Sequence, residues 1–296
     1  MKIVCFGSLN IDHVYQVEEI VKPGMTINAL DYSRNCGGKG LNQSVAISKA
    51  GGNISHAGAI GMDGTMLLRF LNDCGIDAHN IVVTDTATGH AIIQVNKQGE
   101  NSIIVLAGAN HKIDSKMVQK VLDEYETGDF IVLQNEISSL IQIINMAHEK
   151  GLKVCFTPSP ITPVLKEIPF NKIDYLFINK LEGQMLTGKK EKMQILKSLR
   201  EKYPECRVVL TLGKNGAAYA GPEGAYEQEI FATDAVDTTA AGDTFCGFFI
   251  TAISKGKNVQ HALRIASMAS SICVSKAGAA KSIPTMEEVE IALENR

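Results

Sequence analysis

The sequence predicts an α/β protein in which a mostly parallel β-sheet is covered by helices on both faces. Three observations support this fold class. Short runs of strand length alternate with longer segments in which apolar residues recur at helical spacing. The first of these runs and the central ones are apolar throughout, which is typical of strands buried on both faces. Two pairs of segments, near residues 12–33 and 91–106, instead alternate between polar and apolar residues, so we assign them to a small separate β-layer.

The elements of the first half follow in order from these patterns. A turn at Pro23-Gly24 separates two alternating strands, Gly51-Gly52 ends the first helix, and Asp63 is interpreted as the N-cap of the second. The predicted strands are residues 2–6, 12–17, 26–33, 53–60, 91–95, 102–106 and 130–133, and the predicted helices are residues 41–50, 63–75 and a segment opened by residue 114.

The second half continues the alternation of strands and helices. Gly151 ends a helix over residues 138–150, and a hairpin surrounds the turn at residues 221–224. The remaining predicted strands are residues 152–156, 173–178 and 207–212, and the remaining helices cover about 180–187, 191–202, 241–254 and 258–275. A chain of 296 residues is long enough to bury a large core. We therefore expect residues 1–296 to form one domain, with the small β-layer taken from about 11–33 and 90–106.

Charge and composition argue against several classes of protein. The formal net charge is −3, whereas nucleic-acid-binding domains normally carry a basic excess. No apolar run approaches the ~20 residues that a transmembrane helix needs, and the N-terminus lacks the apolar core of a signal peptide. The seven cysteines include no C-x-x-C motif, so we expect reduced thiols in a cytoplasmic protein and no structural zinc site.

The strongest local signal for chemistry is the segment DTTAAGDTF at residues 237–245, which follows a strand and opens an apolar helix. Small residues at a helix start allow backbone N–H groups to approach an anion, which the helix dipole also favours. Asp243 lies in the first turn, where a carboxylate can serve as a base toward the bound group. The alternative is that Asp243 only stabilises the helix, as acidic first-turn residues commonly do.

A second signal is the glycine-rich segment NCGGKGLNQ at residues 35–43, which leads into another helix. Gly37, Gly38 and Gly40 permit close approach of the backbone to a ligand, and Lys39 and Asn42 offer hydrogen-bond donors. The spacing matches neither a Walker loop nor the dinucleotide-binding fingerprint, which argues against a nicotinamide-dependent dehydrogenase. An ordinary glycine-rich turn with a helix cap is the alternative interpretation.

Polar residues also follow several predicted strands at their carboxyl ends. In open parallel sheets, ligands bind outside these ends, so we expect the side chains to converge on one crevice, although each alone also fits a cap or a turn. They are Asn10 and Asp12 after the first strand, Glu136 after the strand at 130–133, Asn179 and Glu182 after the strand at 173–178, and Thr211 with Gly213 near the end of the strand at 207–212.

In their order along the chain, six segments resemble the ribokinase branch of the PfkB family of sugar kinases. They are GSLNIDH (7–13), GGKGLNQ (37–43), TGHAIIQVNKQGENSIIVLAGAN (88–110), NKLE (179–182), TLGKNG (211–216) and DTTAAGDTF (237–245). The resemblance implies a ribokinase-like three-layer α/β/α fold with a mostly parallel central sheet and the small β-layer as a lid. It also implies ATP-dependent phosphorylation of D-ribose at its 5-hydroxyl group, which gives D-ribose 5-phosphate and ADP.

The resemblance further implies a role for each matching position. Asp243 is expected to take the proton of the sugar hydroxyl, while backbone N–H groups of Ala240, Ala241 and Gly242 form an anion hole. The expected sugar ligands are Asn10, Asp12, Gly38, Lys39, Asn42, Glu136 and Asp243, and the expected ATP-binding residues are Asn179, Glu182, Thr211, Gly213, Gly216 and Gly242.

Two metal ions and a partner follow from the same resemblance. Glu182 is expected to hold Mg²⁺ through water. Asp237, Thr239 and Ser282, with carbonyl groups of residues 274–279, are expected to bind a monovalent cation, usually K⁺; loop capping is the alternative for Asp237 and Ser282. The small β-layer is expected to pair with that of a second subunit, which gives a homodimer.

Substrate specificity stays open at this stage. Ile11 and His90 stand where the family usually has a smaller or apolar residue, which raises the hypothesis that both lie near the sugar, although His90 fits an ordinary strand position better than a role in specificity. A kinase for another furanose or for a nucleoside is an alternative, with Tyr15 and Tyr32 available to stack on a base. A non-catalytic sugar- or nucleotide-binding regulator is a further alternative, and Cys36, beside the glycine-rich segment, is the cysteine to examine for regulation.

Overall fold

A computed structural model of the protein describes residues 1–295 and contains thirteen strands and nine α-helices in this part of the chain. The strands are β1 (Ile3–Phe6), β2 (Asn10–Gln16), β3 (Asp31–Gly37), β4 (Ile54–Gly61), β5 (Asp77–Thr84), β6 (Gly89–Val95), β7 (Asn101–Leu106), β8 (Phe130–Gln134), β9 (Lys153–Thr157), β10 (Tyr175–Asn179), β11 (Arg207–Thr211), β12 (Ala217–Gly221) and β13 (Gly224–Gln228). The α-helices are α1 (Lys39–Lys49), α2 (Thr65–Asp73), α3 (Ser115–Leu122), α4 (Leu140–Glu149), α5 (Lys180–Thr187), α6 (Lys192–Lys202), α7 (Ala241–Ser254), α8 (Val259–Val274) and α9 (Met286–Glu294).

The larger of two sheets has nine strands in the order β13-β12-β11-β10-β9-β8-β1-β4-β5. The seven strands from β11 to β5 are parallel, and β12 and β13 form an antiparallel edge. Ile3 and Cys5 of β1 pack into one core with α1, α2, α7, α8 and α9, while Val4 and Phe6 pack into another with α3 to α6. Because successive side chains of a strand point to opposite faces, a strand between two helical layers is apolar throughout. The predicted three-layer arrangement is confirmed.

The order of the strands places a crevice at the carboxyl end of β1. From β1 the chain first builds β4 and β5 on one side and later builds β8 to β13 on the other. Such a reversal of direction separates the connections that leave the two neighbouring strands, and ligands bind in the resulting gap. The segment after β1 and the segment after β8 border this gap, and each carries candidate site residues.

The small sheet has four strands in the order β3-β2-β6-β7, with β2 and β6 parallel and the other pairs antiparallel. Three of its predicted strands are confirmed within two residues, but the strand expected at 26–33 is found at Asp31–Gly37. Because β2 ends at Gln16, which pairs with Asp31, residues 26–30 are not part of the ladder, although the N–H of Leu30 still donates to the carbonyl oxygen of Gln16 at 2.7 Å. The later strand runs into the glycine-rich segment and pairs Gly37 with Asn10, so the small sheet is continuous with the start of α1.

One further expectation about an element was wrong. Asp63 does not cap α2, whose N-cap is Gly64; its carboxylate instead accepts hydrogen bonds from the N–H and hydroxyl groups of Thr88, at 2.9 and 2.6 Å. The helix expected over residues 138–150 is found at Leu140–Glu149, and the hydroxyl groups of Ser138 and Ser139, just before it, donate to the carbonyl oxygen of Ile113.

Two elements went unpredicted. The edge strand β5 alternates poorly between buried and exposed residues, which hides it from a pattern of period two. Helix α9 begins with a capping box in which Thr285 and Glu288 bond to each other's backbone N–H groups. That signature, Thr followed three residues later by Glu, was readable in the sequence.

The remaining global features concern membranes and thiols. Among residues 1–295, no helix is both long and apolar enough to cross a bilayer. All seven cysteines are free thiols. Burial raises the pKa of the Cys36 thiol, which disfavours the reactive thiolate.

Candidate active site

The N-terminus of α7 presents free backbone N–H groups at the wall of a cleft of about 200 Å³. The N-cap residue, Ala240, has a left-handed conformation with φ 61°, which few residues other than glycine adopt. The N–H group of Ala241 donates to the carbonyl oxygen of Thr238 at 3.3 Å, whereas those of Ala240 and Gly242 find no acceptor in residues 1–295. Gly242 lies in the open: apart from its own helix and its chain neighbours, no atom of residues 1–295 lies within 4 Å of where a Cβ would stand. Two of the three N–H groups predicted for the anion hole are thus available to an anion.

Asp243 lies in the first turn of α7, and α1 holds its carboxylate. Asn42 donates to Oδ2 at 3.2 Å and Gln43 donates to Oδ1 at 2.9 Å. Burial raises the pKa of Asp243 above its ordinary value, although the charge of Lys39 and the two amide donors oppose this effect. A carboxylate with a raised pKa is a stronger proton acceptor than an exposed one.

The glycine-rich segment closes around Glu136. Its carboxylate accepts hydrogen bonds from the backbone N–H of Lys39, at 3.2 Å, and from the hydroxyl of Ser8, and the Lys39 ammonium lies 3.6 Å from its other oxygen. Gly38 has φ 96°, and a Cβ there would lie 2.8 Å from the carbonyl oxygen of Ser8. Gly40 also packs on the backbone of Ser8. Only residues without a Cβ let this loop approach the end of β1 so closely.

Asn10 and Asp12 extend the site along β2. Asn110, nearly fully buried, donates to Oδ1 of Asn10 at 2.8 Å and accepts a hydrogen bond from the N–H of Leu9. Burial, with a smaller contribution from the charge of Glu136, raises the pKa of Asp12 to about 6, although Lys39 lowers it. The structure therefore brings Asn10, Asp12, Lys39 and Glu136 into one polar region beside the cleft.

The far side of the cleft is formed by the carboxyl ends of β10 and β11. Asn179 and Glu182 form a capping box at the start of α5, with both hydrogen bonds at 2.9 Å. Asn179 and Glu182 therefore each have a capping role, which is the alternative interpretation given for them above. The cleft is lined by Lys39, Thr157, Ser159, Phe177, Ile178, Asn179, Glu182, Thr211, Thr238, Ala240, Ala241, Gly242, Asp243 and Phe245.

Gly213 and Gly216 lie in the turn between β11 and β12, outside the lining of this cleft. Both have positive φ angles, 56° and 80°, and Gly216 packs against the carbonyl oxygen of Gln228. The turn geometry explains both glycines, and their place in a nucleotide site stays a prediction.

The segment around Asp237 is tied to the segment that follows α8. The carboxylate of Asp237 accepts hydrogen bonds from the N–H groups of Thr239, at 2.9 Å, and Gly278, at 3.0 Å. Burial raises the pKa of Asp237, but these bonds outweigh it and the net pKa is lowered. Ser282 is buried, and its hydroxyl donates to the carbonyl oxygen of Ala279 at 2.8 Å. Asp237 and Ser282 therefore both cap loops. The predicted cation ligands lie in two segments that are joined by the hydrogen bond from Gly278 to Asp237.

Ile11 and His90 lie on the face of the small sheet opposite Asp12. Ile11 pairs with His90 in the register of β2 and β6, whereas Asp12 pairs with the next residue of β6, Ala91. The Ile11 and His90 side chains therefore leave the sheet on the face opposite Asp12. The ring of His90 packs against His13, 5.8 Å between centroids. Tyr15 and Tyr32 pack on each other on this same face, with ring planes tilted by 39°. The expectation that Ile11 and His90 lie near the sugar is therefore not supported, because side chains of successive residues leave a strand on opposite faces.

Sequence reasoning assigned no role to four buried residues that connect the site. They are Ser8, Gln43, Asn110 and Gln134, and each is at most 1% exposed. Ser8, Gln43 and Asn110 lie within quoted motifs, so their positions were visible. Gln134 ends β8 and donates to Oε1 of Gln43 at 2.8 Å; a contact between residues 91 positions apart leaves no mark in the local pattern.

Comparisons with known proteins find relatives over nearly the whole chain. A family model described as pfkB family carbohydrate kinase matches residues 1–286. A ribokinase of Haemophilus influenzae is 34% identical over 304 residues, which cover 99% of this chain and 98% of that protein. A crystal structure of ribokinase from Thermotoga maritima superimposes with a TM-score of 0.90 at 32% identity over the full length of both chains. The structure of Arabidopsis thaliana ribokinase complexed with ribose and ATP has a TM-score of 0.88 at 31% identity and covers 99% of this chain and 98% of its own.

Proposed function

This chain belongs to the pfkB family of carbohydrate kinases, and on that premise we propose that it transfers the γ-phosphoryl group of ATP to the 5-hydroxyl group of D-ribose. One observation carries the proposal. The carboxylate of Asp243 and the free N–H groups of Ala240 and Gly242 line the same cleft, at the start of one helix. A base for a hydroxyl proton therefore stands beside a site for the developing negative charge.

The residues support an in-line displacement. As the 5-hydroxyl oxygen bonds to the γ-phosphorus, its proton passes to the Asp243 carboxylate. The bond from this phosphorus to the bridging oxygen breaks, and the bond's electron pair leaves with ADP. The backbone N–H groups at the start of α7 stabilise the charge on the transferred group, and the helix dipole adds to this effect.

The sugar is held by the polar residues beside β1 and β8. Asn10, Asp12, Gly38, Lys39, Asn42 and Glu136 form this set together with Asp243. Oδ1 of Asn42 is buried and has no hydrogen-bond partner within residues 1–295, which suits it to accept a hydroxyl hydrogen from a ligand. Asp12 and Glu136 add carboxylate acceptors for further hydroxyl groups.

ATP occupies the side of the cleft formed by β10, β11 and the start of α7. Asn179, Glu182, Thr211 and Gly242 line this side, and Gly213 and Gly216 extend it in the adjoining turn. Glu182 uses one carboxylate oxygen to cap α5, which leaves the other to hold the water shell of Mg²⁺. When bound, Mg²⁺ would neutralise charge on the phosphate oxygens.

A monovalent cation, K⁺ by preference, would sit against the segment of Asp237 and Thr239 and the segment of Ser282. Both oxygens of Asp237 accept one N–H group each and retain lone pairs, and carbonyl groups of residues 274–279 lie in the segment bonded to it. The cation would order the segment that carries Ala240 and so help to form the anion hole.

The assembly proposed is a homodimer joined through the small sheet. Its edge strand β7 exposes Ile103, Ile104, Val105 and Leu106, and exposed apolar edge strands are normally covered by a partner. The seven free thiols support a reducing compartment such as the cytoplasm.

A kinase for another furanose or a nucleoside is the main alternative substrate class. Tyr15 and Tyr32, the aromatic residues available for stacking on a base, pack on each other on the face opposite Asp12, which favours a sugar without a base. A regulator without catalysis is disfavoured because it would have no use for the base at Asp243.

The test is an ADP-release assay with Mg-ATP on a panel of pentoses, hexoses and nucleosides, with and without K⁺. We expect K⁺-stimulated turnover largely confined to D-ribose. In Asp243→Asn we expect turnover to fall by about 10³-fold or more, while binding of sugar and ATP by calorimetry persists, because the amide keeps the shape but cannot take the proton. Preference for another substrate would revise specificity alone; full activity in Asp243→Asn would refute the mechanism.

A further inference from the structure

The carboxylate of Asp243 is held from behind by a chain of two buried glutamines. Gln43, in the second turn of α1, donates from Nε2 to Oδ1 of Asp243 at 2.9 Å and to the hydroxyl of Thr157 at 3.3 Å. Its carbonyl oxygen accepts a hydrogen bond from Nε2 of Gln134 at 2.8 Å. Both glutamines are 0% exposed, so neither is part of the surface that meets substrate.

Gln134 determines which end of the Gln43 amide faces the base. With the N–H of Gln134 on its oxygen, the Gln43 amide must direct its own N–H groups toward Asp243 and Thr157. If the Gln134 amide were turned over, its oxygen would face the oxygen of Gln43. If the Gln43 amide were turned over, its NH2 group would face that of Gln134 and its oxygen would face the Asp243 carboxylate. The remaining oxygen of Gln134 is buried without a partner in the described chain, and buried orphan oxygens are rare in proteins because they are destabilising. The hydrogen bonds thus fix the orientation of both glutamine amides, although the oxygen of Gln134 is left without a partner in the described chain.

The two oxygens of Asp243 are not equivalent. Oδ1 receives the shorter bond, from a glutamine that is fixed on its other side, whereas Oδ2 receives only the bond of Asn42 at 3.2 Å. Asn42 is also the residue with an unsatisfied oxygen suited to a substrate hydroxyl. Oδ2 is therefore the oxygen on the substrate side, and the donor on Oδ1 stabilises the ionised form of the carboxylate.

Resting on the proposed function, we propose that Gln43, oriented by Gln134, is a positioning residue that keeps Asp243 ionised and directs Oδ2 toward the reacting hydroxyl. The other titratable groups around this carboxylate are Lys39 of α1, Glu136 after β8, Cys5 of β1 and Cys246 of α7. Lys39 favours the ionised form and Glu136 opposes it. The neutral amide of Gln43 differs from them because it does not change its charge with pH.

The test is the dependence of kcat/KM on pH, which falls in acid as the base becomes protonated. In Gln43→Met, which keeps the volume and removes the donor, we expect this acid limb to move upward by about one pH unit. On the acid limb, kcat/KM should fall by up to about tenfold and recover at higher pH, while KM for ATP stays unchanged. Gln43→Glu, which replaces the donor by a second carboxylate, should move the limb further in the same direction.

A double-mutant cycle separates positioning from general damage. Gln134→Met should move the acid limb upward in the wild-type background but not further when residue 43 is already Met, since both act through one bond. It also provides the second variant if Gln43→Met does not fold. A folded Gln43→Met with the wild-type acid limb, or additive shifts in the double variant, would overturn the proposal. Activity in Asp243→Asn would instead refute the base and with it the proposed function, so the two failures are distinguishable.

Discussion

The ionised carboxylate of Asp12 favours sugar binding but lowers the stability of the folded chain. Burial and the charge of Glu136 raise its pKa to about 6 from the model-compound value of 3.8. The folded chain therefore binds this proton more tightly than the unfolded chain does, and stability declines as pH rises through the window between these values. At neutral pH the ionised group destabilises the fold, yet ionisation supplies acceptors for sugar hydroxyl groups.

Asp12→Asn should separate these two effects. We expect the free energy of unfolding at pH 7.5 to increase by about 1–2 kcal/mol, with a smaller gain at pH 5, while KM for the sugar rises about tenfold or more. Denaturant unfolding at both pH values and steady-state kinetics measure the two effects.

A second aspartate provides a control of opposite sign. Hydrogen bonds from Thr88 outweigh burial and lower the pKa of Asp63, so Asp63→Asn should lose stability at pH 7.5 and leave sugar binding unchanged. Loss of stability in Asp12→Asn at pH 7.5 would show that its carboxylate is not destabilising.

Individual residues of the site were predictable to different degrees. Asp243, Lys39 and Asn42 stand in local motifs whose small neighbours suggest anion or ligand contact, and the structure brings all three together. Asn110 lies within a quoted motif, but its contact with Asn10 joins residues 100 positions apart. Gln134 lies in no such motif, so the fold is needed to place both residues at the site. The orientation of Ile11 and His90 depended on the register between β2 and β6, which no single segment encodes.

At the scale of elements, the starts of α1 and α7 both use glycine, but for different physical reasons. Gly40 packs against the backbone of Gly7 and Ser8, so a Cβ there would push α1 away from β1. Gly242 has open space around the position of a Cβ and lines the cleft. The first glycine is required by packing; the second leaves room for a ligand.

Two alanine substitutions test this contrast. Gly242→Ala should leave the free energy of unfolding unchanged or raise it by up to about 1 kcal/mol, because alanine favours a helix, while kcat falls about tenfold or more as the methyl group obstructs the phosphoryl group. Gly40→Ala should lose about 1–3 kcal/mol from overpacking and lose activity with it. Thermal unfolding and initial rates distinguish the two; a fully active Gly242→Ala would exclude approach of the phosphoryl group at this turn.

Elements whose pattern matched their burial were predicted, and the others were missed. The core strands are apolar because both faces are covered, whereas β5 lies at the sheet edge with a mixed burial pattern. The start of β3 depended on where β2 ends, a partner that periodicity does not identify. The capping box of α9 is a local signal that does not depend on the periodicity of apolar residues.

At the scale of the whole molecule, the sequence indicated a layered α/β fold but not the order of its strands. Alternating strands and helices fit many parallel sheets. The reversal at β1, which creates the crevice, depends on which strands become neighbours. The small sheet was assigned correctly because its alternating segments could not be buried on both faces.

The small sheet also leaves an apolar surface that one copy of the chain does not cover. Ile92, Ile104 and Leu106 share the face opposite Asp12, as the register of β6 and β7 shows, and Ile104 is 64% exposed. A second subunit on this face would leave the Asp12 face directed at the cleft. Dimerisation would then hold the small sheet in position without blocking the sugar, and would limit the access of water to the reacting groups.

The double variant Ile104→Glu/Leu106→Glu tests this assembly. We expect the wild-type chain to sediment at twice the monomer mass and the variant at the monomer mass, because two buried carboxylates per subunit would oppose the interface. Without a partner to hold the small sheet, KM for the sugar should rise about tenfold, while the free energy of unfolding of the monomer changes little at these exposed positions. Met193→Glu, on the exposed face of α6 and 60% exposed, is the matched control and should remain dimeric. A wild-type monomer at micromolar concentration, or a double variant that still dimerises, would exclude this face as the interface. A monomeric double variant with unchanged KM for the sugar would show that the small sheet holds its position without a partner.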